Sequence, residues 1–171
     1  SPTKELNVTM NESPNKPVIL IVIDSLMNEP LQKVIQENKA PALSFLINNG
    51  YLEPQVISSY PTMSVTIDST LLTGTYANEH KIPGLIWFKE DENRIISYGS
   101  GISEMWHNGI KNVARDSVIH LNNEHLSNTV QTIHEQLATR NIQSASINGL
   151  LYRGSVKHQL HVPKLISTTK L

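Results

Sequence analysis

The chain has 171 residues, 39% of them apolar, which is enough for about one globular domain with a buried core. Its formal net charge of −1 and its scattered Lys and Arg residues exclude a strong electrostatic attraction to nucleic-acid polymers or anionic lipid. The absence of cysteine excludes disulfides, thiolate metal sites and cysteine catalysis.

The first sixteen residues are polar and contain two prolines, a composition that is typical of a linker. We therefore expect a linker at residues 1–16 and a folded region over residues 17–171. The longest apolar run, Val18 to Ile23, is far shorter than the roughly 20 residues that cross a bilayer, so we expect no membrane-spanning segment. A polar start of this kind also fits a removed N-terminal signal or anchor, which predicts an extracytoplasmic or membrane-anchored protein.

The run from Val18 to Ile23 is rich in β-branched residues and has no polar alternation. This pattern is typical of a strand that is covered on both faces of a parallel sheet. Asp24 follows directly, so its carboxylate is expected at the carboxyl end of a central strand, where open α/β sheets bind their ligands.

Two helices are predicted in the first half of the chain. One opens at Ala40-Pro41 and closes at Asn49-Gly50, and a strand is expected from Tyr51 to Ser58. In the other helix, Met63, Ile67, Leu71 and Leu72 have helical spacing, and Gly74 is the expected C-cap. Ser64 then lies in the first turn of this second helix.

The second half of the chain predicts loops and a hairpin between Thr75 and Gly109, followed by a helix capped by Ser127 and a short strand from Ile142 to Ile147. This alternation of strands and helices predicts an α/β fold with a mostly parallel sheet and helices on both faces. Neither G-x-G-x-x-G nor G-x-x-x-x-G-K-[ST] occurs, so nucleotide cradles of those kinds have no basis in the sequence.

Ser64 and Asp24 are the residues with the clearest chemical potential. A hydroxyl at a helix N-terminus lies close to backbone N–H groups and the positive end of the helix dipole, which favour a bound phosphate and a developing alkoxide. Serine still needs a base or a metal to become a nucleophile, and Asp24 could anchor that metal. The local pattern alone favours a simpler explanation, in which Ser64 or Thr62 acts only as a helix cap and Asp24 caps the segment after its strand.

The string from Tyr60 to Gly84 resembles the nucleophile segment of type I phosphodiesterases and nucleotide pyrophosphatases, which belong to the alkaline phosphatase superfamily. The matching positions are Tyr60-Pro61-Thr62, Ser64, Thr73-Gly74, Tyr76 and His80. Val18 to Asp24 likewise resembles the first strand of that family, which ends in a metal-binding Asp. The resemblance covers roughly residues 17–88, and residues 127–147 agree with it only in the order of their elements.

The resemblance implies an alkaline phosphatase-like α/β fold, of which this chain would form the N-terminal portion. It also implies that Ser64 attacks phosphorus, becomes phosphorylated and is released by a metal-activated water. Two divalent ions, of the zinc type, would be bound in part by Asp24 and Ser64. The implied substrate is a small-molecule phosphodiester or pyrophosphate.

Two departures from the family pattern bear on this assignment. Many relatives have an Asn three residues after the nucleophile, and this chain has Ile67. The remaining Asp and His ligands of the family are expected after Leu171, so we expect the 171-residue piece alone to lack hydrolase activity. An incomplete domain of this kind would expose a sheet edge, which favours self-association or pairing with a C-terminal part.

Other candidate residues have simpler explanations. Asp116 and His120 have the spacing of a family ligand pair, but they precede the 127–147 unit, so we interpret this spacing as coincidence. His158 and His161 are interpreted as surface-loop histidines rather than ligands. We expect His80 to stabilise a turn by hydrogen bonding, and we expect Trp87 and Phe88 to be core residues rather than an aromatic wall for a substrate base.

Three alternatives stay open. A phosphomonoesterase or phosphonate hydrolase of the same superfamily would share the nucleophile. A catalytically inactive relative could retain phosphoanion binding alone. A metal-dependent phosphotransferase would have different residues around its nucleophile, so the Tyr60–Gly84 string argues against it.

Overall fold

The computed structural model describes residues 16–99 and 116–159. The chain divides into two compact units, Ser1–Pro54 and Gln55–Leu171. Of the predicted linker, all but Lys16 lies outside the described residues.

The first unit contains two helices in contact with each other, α1 (Asn28–Gln36) and α2 (Pro41–Asn49). The predicted helix after Ala40 is confirmed as α2. It begins at Pro41 because proline has a φ that suits the first helical position and lacks the N–H that would be unpaired there. Helix α1 was not predicted.

The two strands predicted around these helices are not formed. Residues 18–23 and 51–58 have no regular secondary structure, and most of their side chains are exposed, with Val18 at 93% and Ile57 at 96%. A strand is stabilised by hydrogen bonds to a neighbouring strand, and neither segment has such a neighbour within the described residues. The predicted mostly parallel sheet is therefore not confirmed.

The second unit begins with helices α3 (Ser64–Thr73) and α4 (Ala77–His80) and continues with strands β1 (Ile86–Lys89) and β2 (Arg94–Ser97). A π-helical segment (Asp116–His125), helix α5 (Ile133–Thr139) and strands β3 (Ala145–Ile147) and β4 (Lys157–Gln159) follow. Strands β1 and β2 form an antiparallel hairpin in which Trp87 pairs with Ile96, which confirms the predicted hairpin. Strands β3 and β4 pair in parallel, with Ser146 opposite His158.

Helix α5 starts at a different residue from the one predicted. Its N-cap is Thr132, whose hydroxyl accepts the Glu135 N–H at 3.2 Å while the Glu135 carboxylate accepts the Thr132 N–H at 2.8 Å. This reciprocal capping box pairs two backbone donors at the helix start. Ser127 instead accepts the Thr129 N–H in the preceding turn, so the prediction that Ser127 caps this helix is wrong.

The buried core of the second unit draws on most of its elements. The side chains that form it are Val65, Ile82, Ile96, Tyr98, Leu121, Leu126, Val130 and Leu151.

Buried polar side chains connect the surrounding loops by hydrogen bonds. The Asn122 side-chain amide donates to the Leu150 carbonyl and accepts from the N–H groups of Tyr152 and Arg153. The Arg153 guanidinium donates to the carbonyls of Leu126, Ser127 and Val130.

Candidate functional site

Ser64 is the first residue of α3, and its side chain is exposed. Met63 occupies the N-cap position and makes no side-chain capping hydrogen bond. The helical hydrogen-bond ladder starts where the Ile67 N–H donates to the Met63 carbonyl at 2.9 Å. The N–H groups that precede Ile67 lie outside this ladder, which is the arrangement that binds anions at helix N-termini. The structure thus places the Ser64 hydroxyl at a helix start, as the sequence predicted, and does not place it at the N-cap.

The side of α3 that faces the core is largely polar. Ser69 donates to the Val65 carbonyl at 2.7 Å, and Thr73 donates to the Ser69 carbonyl at 2.6 Å. These hydroxyls are therefore satisfied by the backbone of their own helix. The hydroxyl of Thr66, two residues after Ser64, is buried and has no hydrogen-bond partner within the described residues.

His80 fixes the turn that follows α4. Its ring is fully buried, and its Nδ1 accepts the Ile82 N–H at 3.1 Å. Because Nδ1 is an acceptor, the ring proton lies on Nε2, which donates to Thr70 Oγ1 at 3.2 Å. Burial lowers the pKa of His80, which favours this neutral form. The prediction that His80 stabilises the turn by hydrogen bonding is confirmed.

Asp24 lies in the first unit, in a turn with Ser25, whose φ is 59°. Its side chain is exposed, directly after the apolar run that starts at Val18. Ser64 belongs to the second unit, so the structure describes the two candidate residues separately. The pairing of Asp24 and Ser64 stays a prediction. Their oxygen donors are chemically suited to a zinc-type ion, since both carboxylate and hydroxyl oxygens coordinate such metals.

The remaining candidates divide clearly. Trp87 is half-buried, packs against the core and contacts His125 edge-on, which confirms its core role. Phe88 is 54% exposed because it points to the other face of β1, so the prediction that Phe88 is a core residue is wrong. His158 is half-buried on β4 and stacks on Tyr152 with ring centroids 3.9 Å apart, so its interpretation as a surface-loop histidine is wrong. The roles considered for Asp116 and His161 fall outside the described side chains.

A group of possible metal ligands was missed by the sequence reasoning. Within residues 16–99 and 116–159, the side chains of Glu92, Glu124 and His125 bring one donor atom each within 4.8 Å of one another. Glu124 and His125 are adjacent in sequence, which is a weak signal. Glu92 lies in a hairpin turn that is far from Glu124 and His125 in the sequence, and only the tertiary fold reveals that it is close to them in space.

Comparison with known families identifies the class of protein. The model of the family described as type I phosphodiesterase / nucleotide pyrophosphatase matches residues 18–161. This match covers most of the chain, and the chain therefore belongs to this family of phosphoester hydrolases, with the alkaline phosphatase-like α/β fold that it implies. No curated protein and no solved structure matches the chain. Within its described part, the chain has no helix long and apolar enough to cross a bilayer.

Proposed function

We propose that this chain carries the nucleophile of a metal-dependent hydrolase that cleaves phosphodiester or pyrophosphate bonds through a phosphorylated Ser64. The observation that supports this most directly is the position of Ser64, exposed at the first residue of a ten-residue helix, inside the region that matches the family. In this proposal Asp24, which directly follows the apolar run Val18–Ile23, is a metal ligand.

The start of α3 provides the groups that phosphoryl transfer needs. The first-turn N–H groups and the positive end of the helix dipole attract the phosphate oxygens and hold the phosphorus near Ser64 Oγ. Phosphoryl transfer depends mainly on such positioning and on neutralisation of negative charge. Two divalent ions, zinc in this proposal, would be held in part by Asp24 and Ser64 and would supply the additional charge neutralisation.

The reaction proceeds in two displacements at phosphorus. Ser64 Oγ loses its proton and bonds to phosphorus, while the bond to the leaving oxygen breaks and that oxygen takes up a proton. A water molecule then loses a proton and bonds to phosphorus, while the bond to Ser64 Oγ breaks and that oxygen takes up a proton, which regenerates the hydroxyl. Each turnover therefore consumes one water and yields a phosphomonoester, together with an alcohol from a diester or a phosphate-containing product from a pyrophosphate.

Ile67 departs from the family pattern close to the proposed nucleophile. It lies one turn after Ser64 on α3, and its side chain cannot donate a hydrogen bond to a phosphate oxygen, whereas the Asn that many relatives carry at this position can. In this proposal the first-turn N–H groups and the metal ions would supply that stabilisation of the phosphate instead.

The test measures hydrolysis of bis(p-nitrophenyl) phosphate by the full-length protein with zinc. Ser64→Ala should abolish turnover, and Ser64→Thr should retain part of it because the hydroxyl is preserved. The matched control is Ser58→Ala, an exposed serine outside the helix, which should leave the rate unchanged. Equal rates for Ser64→Ala and the unmodified protein would refute the assignment of the nucleophile. Faster cleavage of p-nitrophenyl phosphate than of the diester would refute the assignment of the substrate.

A further inference from the structure

Four side chains meet where the β1–β2 hairpin contacts the end of the π-helical segment. Glu92 lies in the hairpin turn, and His120, Glu124 and His125 lie on the π-helical segment. Donor atoms of Glu92, Glu124 and His125 are within 4.8 Å of one another. These residues belong to the second unit and include neither Ser64 nor Asp24, so the cluster consists of residues that the proposed function does not use.

His125 is oriented for ligation. Its side chain is fully buried, and its Nδ1 lies 2.7 Å from the hydroxyl of the buried Tyr98. Trp87 contacts the ring edge-on, and His120 stacks on it with ring centroids 5.9 Å apart. Metal-binding histidines commonly have one ring nitrogen fixed by such a hydrogen bond while the other binds the ion. The contact with Tyr98 therefore fixes which nitrogen of His125 faces the carboxylates.

The other nitrogen, His125 Nε2, lies 3.9 Å from Glu92 Oε1. This separation exceeds hydrogen-bond distance. Two donors that share a tetrahedral zinc ion, at about 2.0–2.2 Å each, lie roughly 3.3–3.5 Å apart. The cluster thus needs a contraction of about 0.5 Å along this edge, and of at most about 1.5 Å along any other edge, because all donor atoms lie within 4.8 Å of one another. Rotation of the flexible glutamate side chains is sufficient for such a change.

Both carboxylates lie beside cationic or polar groups. His120 Nδ1 lies 2.6 Å from one oxygen of Glu124. Glu92 Oε2 lies 2.6 Å from Arg94 Nε, and Glu92 Oε1 lies 3.4 Å from Lys89 Nζ. A glutamate carboxylate beside such cations is ionised at neutral pH, which is the form that binds metals.

We propose that Glu92, Glu124 and His125 form a binding site for one divalent transition-metal ion of the zinc type. The combination of an imidazole with carboxylates favours zinc over calcium or magnesium, which prefer all-oxygen sites. An ion bound there ties the β1–β2 hairpin to the π-helical segment. His120 acts as a positioning residue that orients the Glu124 carboxylate.

The experiment is a calorimetric titration of the metal-stripped chain with zinc chloride, repeated with cobalt, whose visible spectrum reports nitrogen and oxygen ligands. We expect one ion per chain. Glu124→Gln and Glu92→Gln should each weaken binding by at least about tenfold, the effect known for groups that support metal ligands. The matched control is Glu90→Gln, an exposed carboxylate in the same hairpin region, which should bind zinc as the unmodified chain does.

The outcomes separate this site from the proposed phosphoester site. Binding that is lost in Asp24→Asn but retained in Glu124→Gln would overturn the inference and leave the proposed function standing. Absence of zinc binding at millimolar concentration would also overturn it. Because Glu124 is exposed, Glu124→Gln should keep the far-ultraviolet circular dichroism of the unmodified chain, so a loss of affinity reports the site rather than the fold.

Discussion

Replacement of His80 tests how the turn after α4 is stabilised. In His80→Ala, the buried Ile82 N–H loses its acceptor, which costs about 1–3 kcal/mol. The vacated ring also leaves a cavity, and truncation of buried aromatic rings costs about 3–5 kcal/mol in total. We therefore expect His80→Ala to lower the free energy of unfolding by about 3–5 kcal/mol.

His80→Asn separates the two contributions. Its side-chain oxygen replaces Nδ1 as an acceptor for Ile82, while the hydrogen bond to Thr70 is lost. This variant should be more stable than His80→Ala by about 1–3 kcal/mol. Urea unfolding followed by circular dichroism gives the free energies, and hydrogen exchange of the Ile82 amide reports the bond directly. Equal destabilisation by both variants, with equally fast Ile82 exchange, would refute this account of the turn.

Two further predictions concern pH and backbone conformation. Burial lowers the pKa of His80 and of His134 below the usual 6.5, so the unfolded chain binds more protons than the folded one as pH falls below 6.5. The contribution of the two neutral histidines to stability should be fully present above pH 6.5. As the pH falls below 6.5, the free energy of unfolding should decrease by up to about 1.4 kcal/mol per pH unit for each histidine. Urea titrations at several pH values should show a smaller dependence on pH for His134→Gln. Gly74→Ala should lower the free energy of unfolding by about 1 kcal/mol, because the φ of Gly74 is 69° but the added methyl group contacts nothing. Gly154→Ala should lower it by about 3 kcal/mol or more, because the added Cβ would also lie 2.7 Å from the backbone nitrogen of Glu135. Thermal melts that rank the two variants in the opposite order would contradict this prediction.

The helices were predictable where residues with known start and end preferences mark their ends in the local sequence. Helix α2 starts at Pro41 as predicted, and α3 ends at Gly74 in the left-handed conformation that glycine adopts without strain. The unpredicted α1 has a comparable signal, since Leu31, Val34 and Ile35 have helical spacing. A local signal was thus present for each of these helices.

The strands were less predictable because each one depends on a partner. The apolar run from Val18 to Ile23 has strong β propensity but no pairing strand within the described residues. The three-residue β3, in contrast, forms within the predicted 142–147 segment because β4 pairs with it. The position of Ser64 could be predicted from local sequence alone. The proximity of Glu92 to His125 could not, since it arises from the packing of the hairpin on the π-helical segment.

The orientation of α3 shows why a helical pattern does not reveal which side is buried. The apolar residues that indicated the helix include Met63 and Leu71, which are 45% and 57% exposed. The side that faces the core contains Ser69 and Thr73, whose hydroxyls bond to carbonyls of their own helix. Burial of these groups costs little because their hydrogen bonds are made within α3.

Packing of the apolar side chains on that same side then decides the orientation. Val65 is fully buried in the core of the second unit, and Leu72 packs against that core. Since a helix places residues about 100° apart, burial of Val65 turns the adjacent Ser64 away from the core. The exposure of the proposed nucleophile therefore follows from the packing of Val65 and Leu72 against the core. This packing is possible because the polar residues on the same side of α3 form hydrogen bonds to carbonyls of their own helix.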